Sequence, residues 1–271
     1  MKVAAIQMVS CPRLGDNLRA ARALLEQAAA AGAELAVLPE YFCVMGHKET
    51  DKLALRETQG EGAIQHFLAT TARALQLWIV GGTLPLQTAV PDRVRNTTLA
   101  FNPAGECVAR YDKIHLFRFD NGQEHYDESR VIEAGNTPVW FDLQARDGHR
   151  WRVALSVCYD LRFPELYRVH ASAGADLLLV PSAFTHTTGQ AHWEVLLRAR
   201  AIENLAYVLA PAQGGVHENG RHTWGHSMLV DPWGTVLAQQ DQGEGIVVGA
   251  LDAQRLREVR QQLPALTHRI L

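Results

Sequence analysis

No apolar run in this 271-residue chain approaches the roughly 18 residues that a membrane-spanning helix needs. The first eight residues, Met1-Lys2-Val3-Ala4-Ala5-Ile6-Gln7-Met8, lack the long apolar stretch and small-residue cleavage site of a secretory leader. Cysteine is scarce. Cys11, Cys43, Cys107 and Cys158 include no C-x-x-C pair, and four thiols in a chain of this length make no disulfide framework. Neither sign of charge dominates, with 26 Lys plus Arg against 29 Asp plus Glu, so composition forces no polybasic face for nucleic acid or an anionic membrane. Low-complexity tracts, Pro/Ser-rich linkers and solenoid repeats are absent. Twelve histidines are present, but H-E-x-x-H and zinc-finger spacings are not. Gly60-Glu61-Gly62 and Gly243-Glu244-Gly245 carry Gln65 and Val248 where a dinucleotide loop needs its third glycine. Gly225-His226-Ser227-Met228-Leu229 begins like a nucleophile elbow, but Leu229 stands where that motif needs glycine. These absences lead us to expect reduced thiols, no membrane or nucleic-acid partner, no metal, a cytoplasmic location and one domain over residues 1–271.

What remains is alternation. Short β-rich apolar runs fall at 3–8, 35–38, 78–80, 96–101, 106–111, 151–157, 177–180, 206–210, 227–230, 235–238 and 246–250. Helical patterns fall at 17–31, 63–75, from Pro164 onward, at 191–203 and at 253–263. Asp16 and Gly32 serve as the start and stop of the first helix, and Pro164 suits a first helical turn. Trp193, with Val195, Leu196 and Leu197, reads as helix core or subunit interface. Strands mixed with helices predict an α/β or α+β fold with helices packed on sheet faces. Chemistry-bearing residues gather just after strands, where open α/β folds place their sites.

Cys158 stands in Leu155-Ser156-Val157-Cys158-Tyr159-Asp160-Leu161-Arg162-Phe163-Pro164-Glu165-Leu166, at a strand end and shortly before a helix. Free N–H groups at a helix start favour a thiolate and an oxyanion. On local context alone, the residue reads as readily as a buried structural thiol. A cysteine nucleophile needs a base, and no histidine is singled out by spacing. Glu40 follows Leu35-Ala36-Val37-Leu38-Pro39, so its carboxylate leaves a buried strand beside Tyr41-Phe42. An acid against apolar walls suits proton transfer near neutral pH, although a lone Glu there also reads as a solvated loop acid. Lys113, in Tyr111-Asp112-Lys113-Ile114-His115-Leu116-Phe117, could hold an oxyanion or lie on the surface.

Taken jointly, Leu-Pro-Glu, Tyr-x-Lys-x-His-Leu and Cys-Tyr-Asp-x-Arg-Phe-Pro-Glu-Leu, in that order, resemble the nitrilase superfamily of carbon–nitrogen hydrolases. The resemblance runs from Val3-Ala4-Ala5-Ile6-Gln7-Met8 to Leu263-Pro264-Ala265-Leu266. It implies a four-layer α-β-β-α sandwich, Glu40 as general base, Lys113 as electrostatic stabiliser and Cys158 as nucleophile. Glu128, in Tyr126-Asp127-Glu128-Ser129, falls where the family has a second active-site glutamate. The implied reaction is acyl transfer through a thioester, with the Tyr159 N–H and Lys113 holding the oxyanion and no cofactor required.

Thr188-Gly189-Gln190-Ala191-His192-Trp193-Glu194 and Gly225-His226-Ser227-Met228-Leu229-Val230-Asp231-Pro232-Trp233-Gly234 are similar to the amidase branch, and most of all to deaminated glutathione amidases. Those enzymes split 2-oxoglutaryl from Cys-Gly. The related ω-amidases release ammonia from 2-oxoglutaramate, and an N-carbamoyl amino acid hydrolase is a further alternative. A small anionic amide as substrate calls for a cationic pocket group, for which Arg162 is the candidate, with a structural salt bridge as the competing reading. Tyr159, Phe184 and Thr185 complete the substrate-facing candidates. The polar loop 118–127 departs from the pattern we associate with the animal enzymes and is expected to rim the pocket. The Gly- and His-rich loop Gly214-Gly215-Val216-His217-Glu218-Asn219-Gly220-Arg221-His222 could contact substrate, with a solvated loop as the preferred reading. The family resemblance further implies a homodimer or higher homo-oligomer through helices at 162–173 and 191–203.

Overall fold

Successive side chains of a strand point to opposite faces, and in Lys2–Gln7 both faces are buried in different cores. The computed structural model describes residues 1–122 and 124–270. Val3 and Ala5 join a core with Val153, Leu155, Leu177 and Leu179, which belong to a second sheet. Ala4 and Ile6 join Ala21, Leu25, Ile64 and Leu68, which belong to helices Leu14–Ala30 and Ala63–Leu75.

The first sheet runs in the order Gly245–Ala250, Lys2–Gln7, Leu35–Val37, Trp78–Val80, Val94–Phe101 and Leu84–Gln87, with Cys107–Asp112 also pairing on Val94–Phe101. Lys2–Gln7, Leu35–Val37 and Trp78–Val80 are parallel, and the two helices just named make the crossovers. The second sheet runs Val236–Gln240, Ser227–Val230, Tyr207–Ala210, Leu177–Leu179, Arg150–Leu155 and Val139–Gln144. Its three parallel strands are joined by helices Pro164–Ser172 and His186–Asn204, the latter packed on Tyr207–Ala210. Lys2–Gln7 lies against Tyr207–Ala210 and Ser227–Val230, which stacks sheet on sheet. The result is helices, sheet, sheet, helices: the four-layer α-β-β-α sandwich that the resemblance implied.

Strand direction places the chemistry. Val94–Phe101 is antiparallel to Trp78–Val80, and Cys107–Asp112 reverses direction again. Cys107–Asp112 therefore ends on the same edge as Leu35–Val37, and Glu40 and Lys113 leave from that edge. Gly82 (φ +49°) shapes the approach to Glu40, because a Cβ there would lie 2.0 Å from the Pro39 carbonyl oxygen.

Several boundaries differ from expectation for identifiable reasons. The first helix begins at Leu14, and Asp16 lies in its first turn, bound by Arg13 and Arg19 rather than capping. The helix expected at 191–203 begins at His186, because Thr185 Oγ1 accepts from the Thr188 N–H and caps the Thr187-Thr188-Gly189 turn, whose residues are poor helix formers. Leu84–Gln87 was not expected as a strand. It carries Pro85, and it ends the strand order, where proline is tolerated. Among the described residues no helix is long and apolar enough to cross a membrane.

Leu179 is fully buried in the middle of the second sheet. Leu179→Ala is expected to lower unfolding stability by about 2–5 kcal/mol, read from the shift in urea midpoint at constant slope.

Candidate active site

Glu40, Lys113 and Glu128 are buried together, with Glu40 and Lys113 each 1% exposed. The Lys113 ammonium donates to Glu40 Oε1 at 2.8 Å and lies 2.8 Å from Glu128 Oε2. Neither the solvated reading of Glu40 nor the surface reading of Lys113 survives. Every carboxylate oxygen has a further donor. Asn96 Nδ2 donates to Glu40 Oε1 at 2.9 Å, and the Ala183 N–H donates to Glu40 Oε2 at 3.0 Å. The Tyr41 hydroxyl donates to Glu128 Oε1 and the Phe117 N–H to Glu128 Oε2, both at 2.7 Å. A buried ion cluster survives only when its remaining lone pairs are satisfied in this way.

Cys158 enters from the other sheet. It follows Arg150–Leu155 and sits at φ +50°, a left-handed conformation that a β-carbon disfavours. Its own N–H donates to the Pro181 carbonyl at 3.0 Å, whereas the Tyr159 N–H has no backbone acceptor among the described residues. Asp160 holds this turn to the lysine loop. Its Oδ2 accepts from the Val157 N–H at 2.8 Å and from the Tyr111 hydroxyl at 2.6 Å. Its Oδ1 accepts from the His115 N–H at 3.0 Å. Residues 111 and 115 flank Lys113, so one fully buried carboxylate ties the nucleophile turn to the ammonium loop.

The electrostatics follow from this crowding. Burial pushes the Cys158 thiol well above its ordinary value, the Glu40 charge adds to that, and Lys113 opposes it. The resting sulfur therefore keeps its proton at neutral pH. Burial works against the Lys113 charge, but Glu128 and Glu40 outweigh it and hold the ammonium well above its usual range. Burial also works against ionised Glu128, but Lys113 outweighs it and holds the carboxyl below the usual range. A protonated thiol and a carboxylate thus line one pocket, with an ammonium bonded to that carboxylate, an arrangement able to move a proton off sulfur and stabilise charge on an adjacent oxygen.

Glu40, Glu128 and Cys158 line that pocket with Phe117, Tyr159, Arg162, Ala183, Phe184, Thr185, Thr188 and Arg221. The substrate-facing candidates Tyr159, Arg162, Phe184 and Thr185 are therefore all brought to it. The Arg162 guanidinium lies over the Phe184 ring at 5.4 Å and the Tyr159 ring at 5.8 Å, and meets His192 Nδ1 at 3.2 Å. No carboxylate pairs with it among the described residues, so the structural salt bridge is not formed. The Thr185 hydroxyl is 2.8 Å from that of Thr188 and is committed to the helix cap.

Loop 214–222 departs from the solvated expectation. Gly214–Val216 pairs with His222–Trp224. His217 is buried between them, bonded to the Ser10 carbonyl and Thr223 hydroxyl at 2.8 Å each, and burial pushes it down to about 4. Loop 118–127 pairs as Arg118–Asp120 with His125–Asp127; Gln123 lies outside the described residues. Sequence reasoning missed Tyr41, Asn96, Asp160, Thr188 and Arg221. Asp160 carried a signal, an acid two residues after the cysteine in a largely apolar run. Arg221 lay in loop 214–222, read as one that could contact substrate, but nothing singled it out within that loop, since only the fold brings it to the pocket of Cys158. Among the described residues no group of three or more His, Cys, Asp or Glu is placed to hold a metal ion.

A family model described as carbon-nitrogen hydrolase matches residues 2–261. The chain is 43% identical to a deaminated glutathione amidase of Synechocystis sp. (strain PCC 6803 / GT-S), over 98% of this chain and 97% of that protein. It is 36% identical to the human omega-amidase NIT2, over 97% of this chain and 92% of that protein. The solved NitFhit protein of C. elegans superposes with a TM-score of 0.90 at 36% identity, covering 99% of this chain. This chain spans 65% of that longer one.

Lys113→Met leaves two buried carboxylates without their counter-charge. At pH 7 it is expected to cost about 3–5 kcal/mol of stability. Glu128, held below its usual range chiefly by Lys113 against the effect of burial, then takes a proton more readily. The gap between wild type and variant should narrow as pH falls from 7 to 5, read from urea midpoints at both values. A gap that widens on acidification contradicts the assignment of Lys113 as their counter-ion.

Proposed function

Because the chain belongs to the carbon–nitrogen hydrolase family, we propose that it hydrolyses the amide of deaminated glutathione, 2-oxoglutaryl-Cys-Gly, through a thioester on Cys158. The observation that carries this reading is the Lys113 ammonium bridging Glu40 and Glu128 at 2.8 Å beside a buried thiol that keeps its proton.

Glu40 takes the proton from the Cys158 sulfur, and the sulfur attacks the amide carbonyl carbon. The carbonyl oxygen takes up the displaced electron pair, held by the Lys113 ammonium and the unoccupied Tyr159 N–H. Glu40 then gives its proton to the amide nitrogen, the carbon–nitrogen bond breaks and Cys-Gly leaves. Glu40 next takes a proton from water. The resulting hydroxide attacks the thioester, and the proton returns to sulfur as 2-oxoglutarate departs. Glu128 fixes the ammonium between the two carboxylates. Arg162, lying over Phe184 and Tyr159 without a carboxylate of its own, faces the carboxylate of the acyl half. The Synechocystis relative supports this choice of substrate. The likeness to the human omega-amidase supports a second reading, release of ammonia from 2-oxoglutaramate, which shares the acyl half.

Residues 1–271 form one domain in this reading. We infer that two copies meet over Pro164–Ser172 and His186–Asn204, where Val169, Val195 and Ile202 are exposed. Light scattering at micromolar concentration is expected to give twice the mass of one chain; a monomer rejects the pairing.

Acid quenching during turnover of deaminated glutathione should leave a 2-oxoglutaryl mass on the peptide containing Cys158. Cys158→Ala should fall to background turnover, and Glu128→Gln should lose roughly 10²-fold or more in kcat/KM. An unmodified Cys158 peptide together with an active Cys158→Ala protein would end the thioester mechanism.

A further inference from the structure

Among the described residues no carboxylate forms an ion pair with Arg221. Its Nε is buried and has no hydrogen-bond partner among the described residues, and the only polar contacts of its guanidinium among them are the Ala183 carbonyl at 3.2 Å and the Met45 sulfur at 3.9 Å. Its guanidinium lies over the Tyr126 ring at 5.1 Å. Glu49, the nearby acid on this side, is paired with Lys52 instead. An unpaired charge in such a position is costly unless something else answers it.

Two cavities meet at this residue. One is the pocket of Glu40 and Cys158. The other, of about 350 Å³, is lined by Tyr41, Met45, Lys52, Tyr126, Asn219 and Arg221 among others. Arg221 belongs to both. Tyr41, the residue after Glu40, lines the second cavity, and Lys52 lies over its ring at 4.3 Å. Lys52 and Arg221 against Glu49 leave this second cavity with an excess positive charge.

The direction of the reaction assigns the two cavities. The leaving nitrogen must lie within hydrogen-bond reach of the Glu40 carboxyl that protonates it. Arg162 lies four residues beyond Cys158 on the same turn, so the acyl half runs along the cysteine side. The amine half is left with the side of Glu40 and Arg221, and Arg221 also lines the second cavity. From this geometry we propose that the cavity between Tyr41, Lys52 and Arg221 is a leaving-group subsite, and that Arg221 receives a carboxylate carried by the departing amine. It takes amines of dipeptide size bearing a terminal carboxylate; ammonia makes no use of it. The inference rests on the amidase reading above and adds to it the half of the substrate that the catalytic residues do not select.

The test compares three amides on the full chain: deaminated glutathione, the same compound with its glycine carboxylate converted to a carboxamide, and 2-oxoglutaramate. Wild type is expected to prefer the acid over the carboxamide by roughly ten- to a hundredfold in kcat/KM, mostly through KM, as suits a charge-assisted pair. Arg221→Met should bring that ratio close to one, and Arg221→Lys should retain part of it. Turnover of the acid and the carboxamide at equal kcat/KM by wild type overturns the subsite while leaving the amidase reading intact. So does an Arg221→Met protein in which the ratio persists. Turnover of 2-oxoglutaramate with none of deaminated glutathione also overturns the subsite and selects the second reading. No turnover of any of the three overturns both. The wild-type comparison decides the matter even if the Arg221 variants fail to fold.

Discussion

One ammonium held between two buried carboxylates sets the terms for everything around it. Lys113 alone would not stay charged at 1% exposure, and Glu40 and Glu128 could not both stay ionised without it. The cluster carries one more negative than positive charge, and the backbone and side-chain donors of Ala183, Asn96, Tyr41 and Phe117 spread that excess. Burial keeps the neighbouring thiol protonated, and this excess reinforces it. In the proposed reaction the same excess makes a proton acceptor available at the moment the sulfur needs one, so the resting enzyme carries no exposed thiolate.

The cluster straddles the two sheets. Glu40 and Lys113 follow strands of the first sheet and Glu128 follows the small hairpin Arg118–Asp120 with His125–Asp127, while Cys158 and Ala183 follow strands of the second sheet. Neither sheet holds a complete set. Asp160 is the strut between them, binding Tyr111 and His115 on one side and the Val157 amide on the other. The packed inner faces of the sandwich are thus part of the catalytic geometry, because a slide of one sheet on the other would separate acid from sulfur.

Legibility in the sequence followed the range of the interactions. Strands such as Trp78–Val80 and the helix Ala63–Leu75 were readable to the residue, since periodicity and flanking glycines are local signals. Glu40, Lys113 and Cys158 were each ambiguous alone and became legible only as an ordered set of motifs. The helix start at His186 escaped because a side-chain cap overrode poor propensity, and Leu84–Gln87 escaped because its proline is harmless only at an edge. Asn96 was invisible and Arg221 was not singled out within its loop, since their meaning depends on partners 56 and 38 residues away along the chain, Glu40 and Ala183. Loop 214–222 looked solvated for the same reason. Glycine and histidine suggest exposure unless one knows that His217 fills a buried slot against Ser10.

The amide of Cys158 donates to Pro181 and is therefore not free for a reacting oxygen. A trigonal carbonyl has two faces, and attack from either one creates a tetrahedral centre of opposite hand. With the nucleophile's own N–H occupied, the oxygen can find donors only by turning toward Tyr159 and Lys113. In the proposed reaction the sulfur then meets a single prochiral face of the substrate, so a backbone hydrogen bond that touches nothing reactive would dictate the stereochemistry of an adduct that no product retains.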